Sequence, residues 1–163
     1  MLSALLVAGR SGSAVATELG TMKVTEQVDA MEMMGVNPMH YLVVPRSLAL
    51  VISLPLLNTI FVFTGLLGSV IAAEPYGISA QLFAQEAMRM VDANDFWIGN
   101  IKAVCFGFMI SVVAAREGLR AQGGARGVGN AATKTVVLAS VLVLVMDYIL
   151  MVILAPIMLG WDM

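Results

Sequence analysis

Residues 47–73 read SLALVISLPLLNTIFVFTGLLGSVIAA, a run without a single charged side chain. About 20 mostly apolar residues are enough to cross the hydrocarbon core of a bilayer, and this run exceeds that length. Inside a membrane the backbone must satisfy its own hydrogen bonds, and so long an apolar run is not a barrel strand, so it is a helix. Pro55 is expected to kink it. Residues 96–115 and 135–159 are similar apolar runs, each interrupted by one charged residue. The whole chain of 163 residues is 60% hydrophobic and 12% charged, with a mean hydropathy of +0.90. These features define an all-α integral membrane protein, a polytopic helical bundle.

The formal net charge of -2 is too small, and its carriers too scattered, for a nucleic-acid partner bound through phosphate neutralisation. Cys105 is the only cysteine, so no intramolecular disulfide exists and no Cys/His metal cluster is suggested. The opening residues 1–8 are apolar but have no basic stretch before them and no small-residue cleavage site. They read as the end of a membrane helix.

Three polar segments separate the spans. Residues 10–46 hold Arg10, Lys23 and Arg46, and residues 116–134 hold Arg116, Arg120, Arg126 and Lys134. Residues 74–95 hold only Arg89, against Glu74, Glu86, Asp92 and Asp95. Lysine and arginine are retained on the cytoplasmic side, so the first and third segments are expected there. Residues 74–95 and the C-terminus then lie on the opposite, outer side, where Trp161 suits an interfacial anchor. Residues 1–9 would be the end of a truncated span that begins upstream of Met1. All of residues 1–163 form one membrane domain.

Within the first segment, Val24, Val28 and Met31 recur at i, i+4 and i+7, with Glu26, Asp29 and Glu32 beside them. The pattern is a short amphipathic helix. Gly35 fits the left-handed residue that closes it, and Pro38 prevents its continuation. It is either an interfacial helix lying on the headgroups or a solvated loop with no partner, or else a docking element. The acidic polar face disfavours adhesion to an anionic leaflet and suits a protein partner with basic or polar grooves.

Residues 26–38, EQVDAMEMMGVNP, resemble the E-x-x-D-A-L-x-x-M-G-x-N-P signature of MlaE/YrbE-type permeases, including those that operate with Mce proteins. Only Met31 departs from it. Residues 8–14 (AGRSGSA), 18–23 (ELGTMK) and 41–46 (YLVVPR) are similar to the same family. The resemblance implies the last part of a five-span permease that dimerises around a lipid cavity in the bacterial inner membrane. It implies that residues 26–35 sit in a groove of a separate ABC ATPase, with Glu26, Asp29, Ala30, Gly35, Asn37 and Pro38 carrying the coupling.

ATP and Mg would be bound by that ATPase, and the permease would be neither an enzyme nor a cofactor carrier. The implied cargo is phospholipid, in a system that maintains outer-membrane lipid asymmetry. Implied partners are the ATPase, a second permease copy, a periplasmic MCE-domain protein and a small cytoplasmic STAS-domain protein. A non-transporting membrane scaffold that recruits a cytoplasmic partner is the alternative. A secondary transporter is a third option, disfavoured by the scarcity of intramembrane acids.

Two ionisable residues, Lys102 and Asp147, fall inside spans, where a charge near the bilayer centre costs about 2.5 to 3.5 kcal/mol. At 1.5 Å per residue they lie about 9 Å and about 13 Å from the outer ends of their helices, within reach of one another. They are expected to pair inside the bundle, either for the transport cycle or as a static packing element. His40 beside Tyr41 reads as a surface or interfacial residue. The thirteen methionines have no paired Cys or His ligands and read as adaptable packing. Residues 123–129 are glycine-rich but lack the G-K-[ST] ending of a phosphate loop, so they are expected to form a flexible turn. Residues 79–91 are expected to be a helix capped by Ser79, with Phe83, Ala87, Met90 and Val91 on one side.

Overall fold

The computed structural model describes residues 1–73, 75, 79–90 and 93–159. Helix α1 (Leu2–Val7) continues through a π-helical turn (Ala8–Gly12) into α2 (Ser13–Val24), and α3 (Gln27–Met33) follows. A second π-helical turn (Met39–Val43) leads into α4 (Val44–Ala73). Then come α5 (Ala80–Met90), α6 (Ala93–Leu119) and α7 (Gly124–Leu159). Among the described residues there is no strand. Three helical stretches, Met39–Ala73, Asn94–Leu119 and Gly124–Leu154, are long and apolar enough to cross a membrane. The chain is a multi-pass, all-α membrane protein.

Helix α6 is the axis of the bundle and packs against α2, α4 and α7. Half of its most apolar window is buried, against 11% for the corresponding windows of α4 and α7. Phe106 and Ile110 of α6 meet Leu54 of α4, and Ala139 and Val143 of α7, in the main core. Lipid tails are as apolar as leucine, so membrane helices associate through close packing, which small residues permit. Two glycines of α6 perform this role. A Cβ on Gly107 would stand 2.8 Å from the Leu50 carbonyl oxygen of α4, and one on Gly118 would stand 2.9 Å from that of Ala16 in α2.

The polar segment 10–46 is helical over most of its length, and not only in its short amphipathic helix. Gly12, Ala16, Leu19 and Gly20 are buried along one face of the helix formed by residues 8–24, which packs against α6 and α7. Arg10 and Glu18 lie on the exposed face, and their charge hides a second face made for close packing. The glycine-rich stretch also differs from its expectation. Only Gly123 and Gly124 have positive φ, 86° and 70°, and residues from Gly124 onward are helical. A Cβ on Gly127 would collide with the backbone of Gln122, so this glycine serves close approach and not flexibility.

Ser79 accepts the Leu82 N–H at 3.3 Å and caps α5, on which Phe83 and Ala87 are half-buried. Glu74, Val91, Asp92, Trp161 and the side chain of Met90 lie outside the described residues.

Candidate functional site: the α3 helix and the intramembrane charge pair

Helix α3 is bounded on both sides by left-handed residues. Glu26 has φ 61°, the one non-glycine residue with positive φ among those described. Its N–H donates to the Lys23 carbonyl at 3.2 Å, closing α2, while its own carbonyl accepts the Ala30 N–H at 2.9 Å, opening α3. A single residue thus stops one helix and starts the next. At the other end Gly35, at φ 78°, donates to Glu32 at 3.0 Å, and Val36 donates to Met31 at 3.0 Å. These two bonds form a Schellman motif, which satisfies carbonyls that a helix end otherwise leaves orphaned.

The Asn37-Pro38 pair begins the following helix. The Asn37 side-chain oxygen accepts the Met39 N–H at 3.0 Å, and its carbonyl accepts the Tyr41 N–H at 3.2 Å. Asn37 is therefore an N-cap, and Pro38 stands where a missing N–H costs nothing. Gly35 and Pro38 act through the backbone, and Asn37 through its side-chain oxygen as well as its carbonyl, to fix where α3 ends and the next helix begins.

Side chains then divide α3 into two faces. Val28, 4% exposed, and Met31 pack inward with Leu19, Leu42 and Ala115. Val24 falls on α2, across the Glu26 break, so the apolar stripe on α3 is shorter than the sequence period suggests. Glu26, Ala30 and Glu32 are exposed, beside Met33 at 86% and Met34 at 72%. The outward surface is therefore mixed, acidic and apolar. The two methionines were not singled out as docking residues because they stand off the apolar stripe.

Asp29 has a partner within the chain: Lys23 Nζ lies 2.6 Å from its Oδ1. That hydrogen bond raises the Lys23 pKa above the ordinary lysine value, with burial acting in the opposite direction and the charges of Asp29 and Glu32 adding to the rise. Because the folded-state value is raised, the stabilisation that the Lys23 charge brings to this pairing is undiminished at neutral pH and is lost as pH rises through the raised value. A second cross-link ties α2 to α4, where Arg46 donates from Nε and Nη2 to Glu18 Oε2, both at 3.3 Å, and from Nη1 to the Leu42 carbonyl at 2.9 Å.

Within the spans, Lys102 Nζ of α6 lies 3.2 Å from Asp147 Oδ1 of α7, and 3.5 Å from both the Asp147 carbonyl oxygen and Met151 Sδ. Their side chains are 12% and 29% exposed. Sequence reasoning missed the uncharged polar groups nearby. Ser3 donates to Asn58 at 3.2 Å, joining α1 to α4, and Thr59 donates to Asn100 at 3.4 Å, joining α4 to α6. Asparagines inside apolar runs were the available signal. Among the described residues no three His, Cys, Asp or Glu side chains gather as metal ligands.

A family model described as "Permease MlaE" matches residues 1–153. The chain belongs to the MlaE permease family. It is 37% identical over 151 residues to a probable ABC transporter permease protein of Synechocystis sp., covering 92% of this chain and 57% of that protein. A probable ABC transporter permease protein of Rickettsia typhi is 36% identical over 151 residues, covering 92% and 58%. The chloroplastic protein TRIGALACTOSYLDIACYLGLYCEROL 1 of Arabidopsis thaliana is 37% identical over 151 residues, covering 92% and 43%. The chain spans about half the length of these relatives.

Proposed function

We propose that this chain is part of the membrane permease of an ATP-driven ABC transporter that moves phospholipid between membranes, and that α3 is where a separate ATPase engages it. The observation that carries this reading is α3 itself. It is anchored inward by Val28 and Met31, fixed at both ends by left-handed residues, and presents Glu26, Glu32, Met33 and Met34 outward. A short helix held this rigidly can pass a push from a partner to α2 and α4, on which it is strung. The lysine and arginine distribution favours a cytoplasmic position for this end, in a bacterial inner membrane.

ATP and Mg belong to the ATPase in this account. Two permease copies enclose the lipid, with apolar surface such as Ile52, Phe63, Val141 and Leu144 available to acyl chains or to the second copy. Lys102 and Asp147 hold α6 to α7 during the cycle. A periplasmic MCE-domain protein and a cytoplasmic STAS-domain protein complete the machine, whose task is outer-membrane lipid asymmetry.

The test is reconstitution of the purified permease and its ATPase in liposomes, with transfer of a fluorescent phospholipid as readout. The proposal expects transfer that requires ATP and survives ionophores. Transfer driven by an ion gradient without ATP would instead identify a secondary transporter. An ATPase that binds without any lipid movement would leave the scaffold reading in place.

A further inference from the structure

The bundle end that carries Arg116 has a pocket of about 410 Å³ at the junction of α6 and α7. Arg116, Glu117, Arg120, Gln122, Asn130 and Lys134 are among its lining residues, three cations against one carboxylate. That carboxylate is already occupied, with Glu117 Oε1 2.9 Å from Arg116 Nη1. Arg120 and Lys134 enter no ion pair among the described residues. An uncompensated pair of cations in a concave site selects an anion.

What lies next to the pocket narrows the kind of anion. Asn130, Lys134 and Leu138 stand one turn apart on one face of α7, and that face changes from polar to apolar at Lys134. Lys134 is also part of the wall of a second hollow of about 370 Å³, completed by Thr133, Val137 and Leu138, whose exposed surface is apolar. A nucleotide or an acidic peptide would meet the cations and leave Val137 and Leu138 bare. A molecule with an anionic head and a hydrocarbon tail fills both.

We propose that this is a binding site for an anionic phospholipid of the adjoining leaflet, with its phosphate between Arg120 and Lys134 and an acyl chain along Val137 and Leu138. Basic pockets between membrane helices on the cytoplasmic side suit such headgroups. The inference rests on the orientation proposed above but not on transport, and it concerns a resident lipid distinct from the cargo. Binding can be read without any lipid movement, so failure here and failure of the transport reading are distinguishable.

The experiment follows the thermal unfolding midpoint of the purified permease while dioctanoyl phosphatidylglycerol is titrated, with dioctanoyl phosphatidylcholine and inorganic phosphate as comparison probes. A ligand that binds only the folded state raises the midpoint, so the expected result is a larger saturable rise with phosphatidylglycerol than with phosphatidylcholine, which reports the cargo cavity alone, and none with inorganic phosphate. Joint Arg120→Gln and Lys134→Gln replacement should raise its half-saturating concentration about tenfold. Each single replacement should shift it part of the way, which preserves the test if the double variant is unstable. Arg126→Gln, an exposed cation outside the pocket, should leave it unchanged. Equal responses to phosphatidylcholine or inorganic phosphate, or no shift in any pocket variant, would overturn the site. So would loss of the phosphatidylglycerol response on adding the ATPase, which would assign the pocket to that subunit.

Discussion

Lys102 and Asp147 are 45 positions apart in the chain and meet at 3.2 Å. Their pairing is legible because a charge inside a span demands a partner, and rise per residue puts the one other charge inside a span within reach. The same reasoning did not reach Asn58 and Asn100, since an uncharged amide inside a helix demands much less. Removing one partner of an ion pair held inside the bundle leaves the other charge unmatched, which is destabilising. Lys102→Met and Asp147→Asn should therefore each lower the unfolding midpoint in detergent. The exchange of Lys102→Asp with Asp147→Lys should recover much of the loss. If either single neutralisation leaves lipid transfer intact, the pair is only a packing element.

Glu26 is the other residue with an unusual role, because it holds φ 61° at the α2–α3 break. A non-glycine residue in this region is disfavoured by about 1 kcal/mol, and no periodicity in the sequence announces it. Glu26→Gly should relieve that strain and raise stability by about this amount, measured by thermal unfolding, while weakening ATPase binding through loss of the carboxylate. Reduced stability in this variant would mean that the side chain, not the backbone, holds the break.

The element scale explains why the signature 26–38 was readable in one way and opaque in another. Gly35 and Pro38 announced a helix stop, which the Schellman bonds from Gly35 and Val36 provide. That Asn37 starts the next helix is not legible in the sequence, because a proline at this spacing signals a helix stop as readily as a helix start. Replacing an N-cap asparagine by alanine typically costs about 1 kcal/mol. Asn37→Ala should do so here, measured by thermal unfolding, and should also loosen the register between α3 and the helix that follows. The Lys23–Asp29 pair was hidden for a related reason: periodicity drew one continuous helix from Val24, whereas the two residues face each other across a break.

Contacts between helices were harder to read. The small residues of α2 were overlooked because Arg10, Glu18 and Lys23 mark the segment as polar. Gly118 lies against Ala16 and Leu19 so closely that any side chain must move α2 away from α6. Gly118→Leu overpacks this crossing and should cost about 1 to 3 kcal/mol, detectable as a lowered unfolding midpoint. Gly129→Leu, at a position open to space, is the matched control.

At the scale of the whole molecule, the three long apolar helices follow from length alone, since nothing but a membrane accommodates such runs. The central place of α6 does not follow from hydropathy, because a face turned to lipid and a face turned to another helix are equally apolar. Gly107 and Gly118 on α6, with Gly12, Ala16 and Gly20 in the helix that meets it, are the residues that specify the order of packing. What the bundle holds at its charged end is α3, outward-facing and stiffly mounted.

Affinity purification of the permease from its native membranes, with the bound ATPase quantified per permease, tests this most directly. An ABC-type ATPase should co-purify with the unaltered protein. Its yield should fall several-fold when Glu26→Lys is combined with Met33→Asp, while the unfolding midpoint of the permease stays within a few degrees. An undiminished ATPase yield on a folded variant would contradict the assignment of α3 as the coupling element.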